Sequence, residues 1–163
     1  MTLEQAAFLS QIVSAVAVIA SLIFVGFQLR QNTKSIKAAT SQSHSATYHQ
    51  IISSLATNGE LAHLWRVGLA GLEGCSDDDR VRFFAITSTL FRFYEASRIQ
   101  WRHGQLDKEH WHTIEQQVIS LRGQPGIETW WASRRYWHSE EFRHWFENLS
   151  AAPADALYNV TAR

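Results

Sequence analysis

The stretch FLSQIVSAVAVIASLIFVGFQ, Phe8 to Gln28, contains no charged side chain, and none lies between Glu4 and Arg30. From Ile12 to Phe27 only Ser14, Ser21 and Gly26 interrupt the apolar run. A helix crossing the ~30 Å hydrocarbon core of a bilayer needs about 20 such residues. A secretory signal carries a basic region before its apolar stretch, whereas MTLEQ offers an acid and no base. A soluble core helix of this length normally keeps a charged face. The expectation is a retained transmembrane helix over residues 1–29.

The flanks set an orientation. Arg30, Lys34 and Lys37 follow the run, no Lys or Arg precedes it, and the next acid is Glu60. The excess of positive charge on one side places the N-terminus outside and residues 30–163 in the cytoplasm. These three bases also suit contact with the membrane surface.

At 100° per residue the run has two faces. Gln11, Ser14, Ala17, Ser21 and Gln28 cluster on one side, and Ile12, Val16, Ile19, Ile23 and Phe27 on the other. Lipid gives apolar faces no reason to associate, so small residues and hydroxyls mark where another helix packs. The expectation is a homo-oligomer, or pairing with another membrane protein. An alternative has the same Gln and Ser residues lining the pore of a small channel.

Beyond the run, Phe27 to Asn58 holds neither Gly nor Pro, so the helix can continue as a juxtamembrane stalk over 30–58. Its later turns carry Tyr48, Ile51, Ile52 and Leu55, a stripe suited to docking on a domain. Residues 59–150 read as a cytoplasmic helical domain. Asn58-Gly59 closes the stalk, Ser76 caps a helix opened by three aspartates, Asp107 and Ser139 cap two more, and Pro125 sits where a first helical turn tolerates it. The helix after Ser76 is apolar on nearly every side, which belongs at the centre of a bundle. The fold class is therefore all-α: an N-terminal span continuing into a stalk, then a bundle of about four to five helices. Residues 151–163 read as a flexible tail.

Seven Trp, nine Phe and four Tyr supply a core to a domain this small. Fifteen basic residues balance fifteen acidic ones, so no net field favours nucleic acid. The single cysteine, Cys75, excludes an intrachain disulfide and a Cys-based zinc cage.

The succession QLRQNTKSIKAAT, YEASRIQWRHGQLDKEHW and PGIETWW resembles a group of small bacterial membrane proteins without an assigned activity. The resemblance covers nearly the whole chain. It implies a bacterial, single-span, helical membrane protein, for which the expected location is the inner membrane, and it offers no catalytic motif to transfer.

Few constellations suggest chemistry. Glu60/His63 and Glu141/His144 have the Glu-x-x-His spacing that aims a carboxylate and an imidazole at one metal, which keeps a helical metal-binding enzyme as a further alternative. Acids in first turns are expected on dipole grounds alone, however, so no catalytic, cofactor or metal residue is assigned. His110 and His112 are two apart and point to different sides of a helix. Glu95, Arg98 and Arg102 fall on the side of Phe84 and Phe91, which predicts a buried ion pair of Glu95 with Arg98 or Arg102. Trp130, Trp131, Arg134 and Arg135 interleave rings and bases as a segment lying on an anionic membrane does. The leading function is a non-enzymatic, membrane-anchored protein that self-assembles through its span and presents a helical interaction domain.

Overall fold

The caps written in the sequence open the helices. In this computed structural model, which describes residues 2–151, Asn58 Oδ1 accepts from the amides of Glu60 (3.0 Å) and Leu61 (3.1 Å) and starts α2, Gly59–Ala70. Ser76 Oγ accepts from the Asp79 amide at 3.2 Å and starts α3, Asp77–Arg102. Ser139 Oγ does the same for Phe142, at 3.3 Å, at the head of α6, Glu140–Glu147. Asp107 stands at the head of α4, Lys108–Leu121, but its side chain makes no cap bond. Pro125 opens α5, Pro125–Arg134, which tightens into a 3₁₀ turn over Arg135–Trp137. Gly104, at φ 68°, ends α3. There the Gly104 amide donates to the Trp101 carbonyl and the Gln105 amide to that of Gln100, each at 2.9 Å, a closure that needs a left-handed residue.

The first helix, α1, runs Leu3–Thr57. The protein is all-α: this long, apolar N-terminal helix is followed by five shorter ones, with no strand among the described residues. Two compact units divide the chain, residues 1–39 and the chain from Thr40 onward. In the first unit every described side chain from Thr2 to Ile36 is exposed, including Phe8, Ile12, Val16, Ile19, Phe24 and Phe27. This helix is long and apolar enough to cross a membrane. Ser10 Oγ bonds back to the Ala7 carbonyl at 2.8 Å, while Ser14 and Ser21 make no side-chain hydrogen bond among the described residues.

In the second unit, α3 touches α2, α4 and α5 and supplies the largest share of the core. Phe91 is fully buried, with Trp130 (4.5 Å), Phe146 (5.2 Å) and Tyr94 (5.8 Å) around its ring. Burying such rings contributes on the order of 2–3 kcal/mol each. The helix is not apolar to the core on every side: Val81 and Ile99 remain exposed. Helices α2 and α5 approach where two glycines meet. A Cβ on Gly126 would overlap the Gly68 carbonyl, so only hydrogen fits there. The expectation for a flexible tail falls almost wholly on residues 152–163, outside the described residues.

Candidate functional site

Among the polar side chains drawn into the second unit are Glu95, His138, His44 and, in part, Arg98. Glu95 comes from the middle of α3 and is buried. Its Oε2 accepts from His138 Nδ1 at 2.7 Å and its Oε1 from the Ser139 backbone amide at 2.8 Å. Arg92 adds a longer contact at 3.4 Å. His138 follows the 3₁₀ turn and lies in an aromatic box, stacked on Trp131 (5.4 Å) with Phe142 (5.3 Å) and Trp130 (5.8 Å) beside it.

Burial alone would raise the Glu95 carboxyl. The Ser139 amide and His138 overcome it and hold the group below its ordinary value. For His138 burial prevails over the attraction of Glu95 and keeps the imidazole below its ordinary value. At neutral pH the pair is thus a carboxylate and a neutral imidazole. With the His138 side chain 1% exposed, this pair is closed to solvent. It ties the head of α6 to the middle of α3, because Ser139 both donates to Glu95 and caps α6.

The ion pair expected between Glu95 and Arg98 or Arg102 is not formed. Both arginines reach Glu141 of α6 instead, Arg98 through Nε at 3.4 Å and Arg102 through Nη1. Their contacts hold the exposed Glu141 carboxyl below its ordinary value, Arg102 contributing most. Arg98 is caged by three indoles, with its Cζ 4.5 Å from the Trp145 ring, 5.8 Å from Trp111 and 5.9 Å from Trp101. Spacing along one helix suggested its local partners. The real ones come from forty residues on, where tertiary packing decides.

A residue that sequence reasoning missed is His44. It is buried, with Nδ1 2.9 Å from Ser97 Oγ and Nε2 against Gln100 Oε1, and it seats residues 40–57 of α1 on α3. Ser97 Oγ also donates to the Phe93 carbonyl at 2.7 Å. The signal was present: His44 lies four residues before Tyr48 on the stripe that continues through Ile51 and Leu55.

Trp130 and Trp131, expected at a membrane surface, are instead core residues, 0% and 5% exposed. Trp130 Nε1 donates to Ser88 Oγ and Trp131 Nε1 to Glu147 Oε1, both at 3.2 Å. Arg134 and Arg135 are half-buried, and Arg135 pairs with Glu147 at 3.0 Å. The exposed rings of this segment are Tyr136 and Trp137, swung outward by the 3₁₀ turn. Arg30 and Lys34 are exposed and Lys37 is half-buried. Gln11, Ser14, Ala17, Ser21 and Gln28 are all exposed in the first unit.

The Glu-x-x-His pairs do not converge. His63 contacts Arg66, and His144 reaches Glu140 at 4.0 Å. Among the described residues no three His, Cys, Asp or Glu side chains are grouped to hold a metal ion. The surface hollows among the described residues of the second unit include two of several hundred Å³. One, of about 480 Å³, lies between α2 and the start of α3 and includes His63, Cys75 and Arg82. The other, of about 710 Å³, lies between α3 and the end of α5. No known family, curated protein or solved structure matches the chain.

Proposed function

We propose that this is a non-enzymatic membrane-anchored protein, which assembles through its N-terminal helix and presents the helical unit to a partner in the cytoplasm. One observation carries the reading. From Phe8 to Leu29 every side chain is exposed, so among the described residues of its own unit this apolar helix has no cover. An apolar face of that extent is expensive in water and needs a bilayer or another chain around it. A hydrocarbon core satisfies the whole circumference at once. The serine-bearing face then offers close approach to a second copy, since small residues let helix backbones meet. The basic flank at Arg30 and Lys34 favours the cytoplasmic side for everything that follows.

The test is the native mass of the full chain in nanodiscs, compared with a Ser14→Leu/Ser21→Leu variant. One defined oligomer that falls to a smaller species in the variant, with unchanged helical content, is the expected result. A wild-type monomer would overturn self-assembly. Failure to enter nanodiscs at all would overturn the membrane reading.

A further inference from the structure

The groove of about 710 Å³ between the first half of α3 and the end of α5 is largely apolar, walled by Val81, Phe84, Ala85 and Trp137, with Arg80 and Arg134 at its edges. Val81 is 68% exposed, Trp137 54% and the neighbouring Tyr136 76%. These rings and methyls are presented rather than buried. The Arg134 guanidinium lies across two of the walls, 4.7 Å from the Trp137 ring and 5.3 Å from Phe84. Its Nε is buried with no hydrogen-bond partner among the described residues. Arg80 spends one N–H on the Leu72 carbonyl at 3.1 Å, and Arg143 lies 5.9 Å from the Tyr136 ring. Among the described residues none of Arg80, Arg134 and Arg143 pairs with a carboxylate, and Asp77, which also lines the groove, makes no ion pair.

We infer that this groove is a docking surface for anionic phospholipid of the bilayer that holds the span. Arginines without acid partners call for an anion. A guanidinium set against two aromatic rings has less freedom to lose on binding, and its planar fork suits a phosphate diester. Trp and Tyr with one apolar and one polar end favour the headgroup level. The apolar floor accepts the first methylenes below the headgroup. An acidic peptide would satisfy the arginines but makes less use of Val81 and two rings standing clear of the surface. The inference rests on the membrane-anchored reading proposed above.

The experiment uses the full chain with Cys75→Ser and a single nitroxide label, in nanodiscs of phosphatidylcholine alone or with about a quarter phosphatidylglycerol. Relative access of oxygen and of a nickel chelate reports whether a label sits in lipid or in water. The label goes in turn on Ile19, on Tyr136 and on the exposed His112 of α4. The expected result is lipid-like access at Ile19 in both discs, and at Tyr136 in the anionic discs alone, with His112 aqueous throughout. Arg134→Gln lowers the lipid-contacting population at Tyr136 by about fivefold, the effect of one arginine near an anionic leaflet, and Arg134→Glu abolishes it. Circular dichroism confirms that each variant is folded, and Trp137→Ser serves as the second probe should an Arg134 variant unfold. Aqueous access at Tyr136 in anionic discs, with Ile19 in lipid, overturns the docking surface and leaves the span intact. Equal lipid contact in neutral discs overturns recognition of anionic lipid by arginine. An aqueous Ile19 overturns the membrane reading itself.

Discussion

Glu95→Ala strips two donors at once. His138 Nδ1–H loses its acceptor inside an aromatic box where water does not reach, since its side chain is 1% exposed. A buried donor left unpaired costs about 1–3 kcal/mol. The Ser139 amide also loses its acceptor, but Ser139 is exposed and water can replace the carboxylate in part, so its share falls at the low end of that range. The sum is about 2–4 kcal/mol, a large fraction of the stability of a domain this size. Glu95→Gln keeps an oxygen for the Ser139 amide and turns its NH₂ to His138, which answers by moving its proton to Nε2. That variant loses about 1–2 kcal/mol. Near-UV circular dichroism during urea unfolding of the full chain in detergent follows the tryptophans of the core. Arg102→Ala, which removes an exposed, solvent-screened contact with Glu141, shifts the same transition far less than Glu95→Ala does. A Glu95→Ala loss below about 0.5 kcal/mol, or an Arg102→Ala loss as large as that of Glu95→Ala, would falsify the assignment of the lock.

Two further outcomes follow from the same packing. Acid destabilises the helical unit in two stages: the folded His138 titrates below its ordinary 6.5, so the unfolded chain takes up a proton first and stability declines as the pH falls through that value. Glu95, held below its ordinary 4.5, adds a second decline under about that pH, and its full contribution is present above it. Melting temperature measured against pH for the wild type and for His138→Gln checks this, and a wild type that gains stability between pH 6.5 and 5 contradicts it. Gly126→Ala drives a methyl into the Gly68 carbonyl and loses about 3 kcal/mol or more, and Gly68→Ala drives one into the ring of the fully buried Phe83, which must shift, and loses about 1–3 kcal/mol. Equal melting temperatures for Gly126→Ala and the wild type would show that α2 and α5 are not held at that distance.

What the sequence could reveal about this protein was what local chemistry decides. Asn58, Ser76 and Ser139 cap the helices they precede, and Pro125 opens one, because capping depends on residues within one turn. The carboxylate drawn inside was recognisable from its place on the apolar side of α3. Its partner was not, since His138 lies 43 positions away and nothing in their spacing links them. The same limit misplaced Trp130 and Trp131. A short helix with rings on adjacent positions does not say which ring faces in, and the answer came from Phe91, Ser88 and Glu147 on other helices. The 3₁₀ turn that throws Tyr136 and Trp137 outward has no counterpart in helical periodicity, which assumes a constant 100° per residue.

The position of α6 in the chain has a consequence for how the protein is made. Phe142 and Phe146 close over Trp131, Phe146 also meets Phe91, and the Glu95 lock is completed by Ser139. Every one of these contacts waits until α6 has been translated, while α3, with its aromatic side bare, emerges some forty residues earlier. At ~5–20 residues per second that interval lasts seconds, far longer than collapse takes. Throughout it the nascent chain carries two unsatisfied apolar surfaces, the N-terminal helix and the open face of α3. On the membrane-anchored reading proposed above, early delivery of the first to a bilayer removes one of them before the other can find it.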